Sequence, residues 1–173
     1  MEQIELQDII AACEEADSVY IKLYRSLLGY EDNVVFYRGI DDSMEKSLDE
    51  IEETSGIAFT PDFLQIYLLS NGGKYFDINL FSLSNDKKDV NGLYYKNTNK
   101  DLKEEFSIPD DMIVIGETKE NEYLLIGIDE EGYYYYCMWD KDAKEKGMDF
   151  ESLIEVLVYE IDYHTQAFSV EEE

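Results

Sequence analysis

The chain has 173 residues, 45% of them hydrophobic, which is enough for one domain with a substantial core and short for two. Forty-one Asp and Glu against fourteen Lys and Arg leave a formal charge of −27 at pH 7. That balance argues against direct nucleic-acid binding, because phosphate binding draws its free energy from the counterions that Lys and Arg release.

The acidity has two readings. It keeps the chain soluble, or it steers a strongly basic protein partner onto the surface. With 15 Tyr and 8 Phe the chain is no disordered acidic tail. Cys13 and Cys137 belong to no CxxC or His-spaced pair, so they read as buried thiols and not as zinc ligands. The opening MEQIELQDII lacks the basic start of a secretion signal, and no apolar run reaches membrane-spanning length. The cytoplasm is the expected compartment, with no membrane association.

In chain order, Ile9, Cys13, Ala16, Tyr20, Leu23 and Leu27 recur at helical spacing within residues 3 to 28, with Gly29 as a stop. Asp17 and Ser18 could split the region into two helices. The same stripe could form a seam with another chain, but it is shorter than four heptads, which favours packing on its own domain. NVVFYRGI (33 to 40) is a short strand or an extended connector. DDSMEKSLDEIEETSGI (41 to 57) predicts a helix with Met44, Leu48 and Ile51 on one face. FTPDFLQIYLLSNGG (59 to 73) predicts a second, capped by Thr60, with Pro61 in its first turn and an apolar face of Phe63, Leu64, Tyr67 and Leu68. At its end, Asn71 and one of Gly72 and Gly73 are expected in a left-handed cap, the other glycine letting strand backbone pass close by.

The period then shortens towards two. KYFDINLFSL (74 to 83) predicts one strand, NDKKDVNG (85 to 92) a loop, and the region of Leu102 to Phe106 a short helix. MIVIGE (112 to 117), EYLLIGID (122 to 129) and YYYYCMWD (133 to 140) predict strands joined by hairpin-length connections, hence antiparallel pairing. MDFESLIEVLVYEIDYH (148 to 164) predicts a closing helix with Asp149 as its cap, followed by the charged tail SVEEE.

This order of elements resembles the SUKH superfamily, the fold shared by a yeast cell-wall-synthesis regulator and many bacterial immunity proteins. The residues that carry the likeness are Pro61, Asn71, Gly72, Gly73, Pro109, Gly116, Asp129, Gly132 and Phe150. A Leu that often precedes the Pro is missing at Ala58 to Thr60, and EYLLIG lacks the usual Gly-Asp lead. The resemblance covers about residues 40 to 160 and implies a core over 40 to 164, leaving residues 1 to 30 as a helical extension of a single domain spanning 1 to 173. It implies an α+β fold: a mainly antiparallel sheet of about five or six strands with helices packed chiefly on one face. It also implies a protein that binds and neutralises a cognate toxin, or else a regulatory interaction module without a toxin partner.

Catalysis finds little support. His164 is the only histidine, and a Cys137–His164 dyad would need a juxtaposition that spacing does not supply. DKDAKEKGMDFE (140 to 151) puts Asp140, Asp142 and Glu151 at calcium-loop positions one, three and twelve. Lys144 and Glu145 then stand where a ligand and the turn glycine are required, so the segment reads as a charged loop entering a helix. No cofactor or metal is expected. In the tyrosine block, alternate rings of a strand face opposite sides, so two of Tyr133 to Tyr136 either face outward as protein-binding anchors or are covered on both faces. The residues expected to meet a toxin are Glu117, Glu120 and Glu122 on one hairpin, with Asp129, Glu130, Glu131, Tyr133 and Tyr135 beside the next strand.

Overall fold

A computed structural model of the chain describes residues 2–13, 18–84, 86 and 88–166. Ala16 of the N-terminal stripe, Asp17 of its candidate break, Asn85 and Lys87 of the predicted loop and the SVEEE tail lie outside them.

The N-terminal stripe turns inward as its spacing requires. Helix α1 (Leu6–Cys13) buries Leu6, Ile9, Ile10 and Cys13, and α2 (Ser18–Arg25) is followed by the buried Leu27. Helix α3 (Glu45–Ser55) ends at Gly56 in the left-handed region. Helix α4 (Pro61–Leu69) starts as expected, the Thr60 side chain accepting the Phe63 N–H. Its buried face is Phe63, Ile66, Tyr67 and Leu69, rotated from the predicted one, and Leu68 is 56% exposed. Two short helices, α5 (Leu93–Thr98) and α6 (Lys100–Glu105), follow, and α7 (Leu153–Thr165) is the last helix among the described residues.

The class is α+β, with the described residues forming one antiparallel sheet of eight strands in spatial order β1 to β8. These are Gln3–Ile4, Val34–Tyr37, Gly73–Tyr75, Ile78–Leu80, Ile113–Thr118, Glu122–Ile128, Tyr134–Asp140 and Glu145–Phe150. The count exceeds the expected five or six for identifiable reasons. The 74 to 83 run is two strands, because Phe76 adopts φ 56° and, with Asp77, folds the chain back so that Tyr75 pairs with Ile78. Residues 145 to 150 form a strand on β7 and not a loop, with Asp149 paired to Cys137. Ser152 therefore caps α7 in place of Asp149, accepting the Glu155 N–H at 3.1 Å. The Asp140 carboxylate accepts the N–H groups of Asp142 and Ala143, so it shapes the β7–β8 turn.

The long β6–β7 ladder separates the two faces. Tyr136, opposite Ile126, shares a 2.5 Å hydrogen bond with the Thr60 hydroxyl at the head of α4. Asp62, two residues on, accepts the Leu153 N–H at 2.6 Å and so holds the start of α7. Helices α1, α2, α4 and α7 group together on this side. Trp139, three residues along and hence on the other face, donates to the Phe106 carbonyl after α6. Asn97 of α5 exchanges two bonds with the Val114 backbone. Helices α1, α2, α4 and α7 thus share a face, and α5 and α6 line the opposite one, with α3 packed against α5. The buried apolar residues form one cluster from Leu6 to Ile161, with the Tyr24 and Tyr75 hydroxyls 2.7 Å apart inside it.

The Asn-Gly-Gly junction works differently from its sequence reading. Helix α4 ends at Ser70 in extended conformation, and the positive φ values belong to Gly72 (72°) and Gly73 (118°), not to Asn71. A Cβ on Gly72 would stand 2.6 Å from the Leu80 carbonyl oxygen, and one on Gly73 2.5 Å from that of Val35. Neither position has room for a side chain. Asn71 is buried, and its amide bonds across to Leu83.

Candidate interaction groove

The β5–β6 hairpin turns at Lys119 to Asn121, with Asn121 at φ 61°, the Thr118 hydroxyl accepting the Glu120 N–H at 3.1 Å and donating to Glu122 at 3.2 Å. This turn projects Glu120 and Glu122 towards α7, whose outer face carries Tyr159, Glu160 and Tyr163. Between them lies a groove of about 290 Å³ floored by Ile78, Met138, Met148 and Phe150, with Asp77 at one end. Tyr163 is 75% exposed, and Tyr159 stands edge-on to Phe150 at 5.5 Å. Rings with polar tips above a methionine floor are suited to gripping a protein side chain.

One end of the groove is ordered around the lone histidine. His164 Nε2 lies 3.4 Å from Asp77 Oδ2 and 3.5 Å from Glu160 Oε2, and its ring stacks on Phe76 at 4.6 Å. The Asp77 N–H donates to Glu160 at 2.7 Å. Burial pushes the Glu160 carboxyl above the usual carboxylate range, against the pull of that N–H and of His164. Lys119 pairs with the other Asp77 oxygen at 3.1 Å.

A second groove, of about 680 Å³, lies at the far end of β7 and β8, lined by Asp129, Tyr133, Asp149, Glu151 and Glu155. Phe150 borders both grooves, so they form one seam along β8 and α7. Among the described residues, neither groove is lined by a Lys or Arg.

The residues singled out from sequence divide along this seam. Glu120 and Glu122 line the first groove, Asp129, Tyr133 and Tyr135 the second. The seven residues of β6 set the two groups about 20 Å apart. Glu117 points to the other face, bonded to Lys141 at 3.1 Å, and that ammonium sits 4.0 Å above the Tyr123 ring. The Asp129 carboxylate is occupied by its own turn, accepting the N–H groups of Glu131 and Tyr133 at 2.9 Å. Glu130 and Glu131 are exposed at the tip. Of the tyrosine block, Tyr133 is 67% exposed, Tyr134 and Tyr135 are half-buried and Tyr136 is buried. Tyr135 lies across Gly127, with the Lys146 ammonium 4.9 Å from its ring centre.

Sequence reasoning missed the contribution of α7. Tyr159 and Tyr163 are four apart and off the Leu153, Leu157 and Ile161 stripe, which marks them as an outward aromatic pair once the helix is placed. The Cys137–His164 dyad does not form a catalytic pair. Burial pushes the Cys137 thiol up to about 12, leaving no thiolate near neutrality, while His164 is engaged with Phe76, Asp77 and Glu160.

The family model described as SMI1 / KNR4 family (SUKH-1) matches residues 43–157, from the start of α3 into α7. The chain belongs to this family. The SUKH-1 match contains Pro61, which opens α4, and Asn71, Gly72 and Gly73, which build the α4–β3 junction, and it leaves α1 and α2 outside. No curated protein matches the chain. Membership in SUKH-1 is consistent with an immunity protein acting through a protein partner. No helix among the described residues is long and apolar enough to cross a membrane.

Proposed function

We propose that this SUKH-1 chain is a cytoplasmic immunity protein or antitoxin that binds a cognate toxin, a nuclease with a basic cleft, through the acidic and aromatic seam of β8 and α7. The supporting observation is the coincidence, in one seam without lining cations, of Glu120, Glu122, Glu155 and Glu160 with exposed Tyr133, Tyr159 and Tyr163. Carboxylates there stand in for the phosphates of the toxin's substrate, and the tyrosines anchor the contact. Inhibition is then steric and electrostatic, with no catalysis by this chain. Glu130 and Glu131 at the β6–β7 tip flank the same contact.

The test is recovery of the partner from the native host with the tagged full chain, followed by binding measurements at rising salt. A basic toxin domain, bound at sub-micromolar Kd and weakened by salt, supports the reading. Recovery of a non-toxin regulatory partner instead would replace it with the interaction-module reading. Unaltered toxin binding by an E120Q/E122Q/E155Q variant would move the contact off the seam.

A further inference from the structure

Glu160 and His164 stand four apart on α7, one helical turn, so both reach the same side. Asp77, in the two-residue β3–β4 turn, meets them at one end of the groove. The His164 Nε2 separations of 3.4 and 3.5 Å are long for good hydrogen bonds. They instead match the roughly 3.4 Å edge of a tetrahedron whose centre lies about 2.0–2.1 Å from each nitrogen or oxygen ligand. We propose that Asp77, Glu160 and His164 form a binding site for a zinc-class divalent transition ion.

Three further features fit. The imidazole is already oriented, its plane 2° from that of Phe76 and its edge against Tyr163, so little rotational freedom is lost on binding. The ligating carboxylates carry outer partners: the Asp77 N–H bonds Glu160 Oε2, and Lys119 holds the Asp77 oxygen not turned to His164. One nitrogen with two carboxylates favours zinc, cobalt or nickel over the all-oxygen preferences of calcium and magnesium. Because Asp77 and Glu160 also line the groove, the fourth position opens into it for water or a partner side chain. A bound ion would pin α7 to the β3–β4 turn. This assignment does not depend on the toxin reading.

The experiment titrates zinc, and separately cobalt(II), into the chelator-treated full chain in millimolar calcium and magnesium, which occupy non-specific carboxylates. One equivalent should bind, with visible cobalt bands of low coordination number. Zinc at a hundred times its Kd should raise Tm by about 5–10 °C. The variants H164Q, E160Q and D77N should each lose affinity by about tenfold or more, and E145Q on β8 should lose none. Because His164 is the only histidine, zinc-induced shifts of its ring 15N signals report the site in the unmutated chain. Stoichiometric binding that leaves those signals unmoved, or no binding beyond that of magnesium, overturns the assignment.

Discussion

The side chain of Asn71 donates to the Leu83 carbonyl and accepts the Leu83 N–H, each at 2.7 Å, tying the end of α4 to a segment twelve residues on. Both bonds are buried, so the backbone at Leu83 has no water to turn to if they are lost. Asn71→Ala should cost about 2–4 kcal/mol, measured as a shift of the urea midpoint. Asn71→Asp keeps the acceptor and sets a carboxylate against the Leu83 carbonyl, so it should do no better.

Gly73 sits at φ 118° with the Val35 carbonyl where a Cβ would be. Gly73→Ala should therefore destabilise by more than about 2 kcal/mol, or leave the chain insoluble on expression. Gly29, at φ 92° with open space around it, pays only the backbone strain, and Gly29→Ala should cost about 1 kcal/mol. Thermal melts of the two variants side by side separate crowding from strain.

Asp62 serves two elements, taking the Leu153 N–H of α7 and the Thr60 hydroxyl at the head of its own helix. Asp62→Ala should cost about 1–3 kcal/mol and raise hydrogen exchange first in the opening turn of α7. Equal loss of protection throughout the sheet would contradict that local assignment.

Tyr24, Tyr67, Tyr75 and Tyr136 are buried, and desolvation holds each hydroxyl well above its ordinary value. In the unfolded chain the same groups ionise near pH 10. The folded state therefore binds more protons from there upward, and stability is full below about pH 10 and falls as pH rises towards the folded values. Phenolate absorbance should show these four titrating only with loss of the far-UV circular dichroism signal. Smooth titration of all 15 tyrosines without unfolding would contradict it.

For the partner, the E120Q/E122Q/E155Q variant should slow association about tenfold or more at low salt, with a smaller effect on dissociation. Glu117→Gln, on the opposite face and paired to Lys141, should leave association unchanged. Stopped-flow measurements at two ionic strengths distinguish these outcomes.

Local chemistry made much of the fold legible. The Thr60 and Pro61 start of α4, the Gly56 stop of α3 and the β5–β6–β7 hairpins follow from caps, glycine and alternation near each residue. What escaped was set by partners distant in sequence. Strand β8 has five exposed residues out of six and no apolar alternation to announce it; its pairing with β7 alone makes it a strand. Residues 74 to 83 read as one strand because the pattern of apolar residues does not reveal the positive φ of Phe76. The site was less legible. Of the acids chosen for nearness in sequence, Glu120 and Glu122 line one groove, Asp129 the other, and Glu117 the opposite face, while Asp77, Asp149, Glu151, Glu155 and Glu160 join them from elements that only tertiary packing brings together.

The two outermost strands are poor templates for self-assembly. At one margin only Gln3 and Ile4 offer a ladder, and at the other the exposed run from Glu145 to Asp149 presents Glu145, Lys146 and Asp149 to any incoming copy. Stacking a second molecule in register there would align like charges, so a sheet open at both margins resists growth into fibrils without needing to close into a barrel.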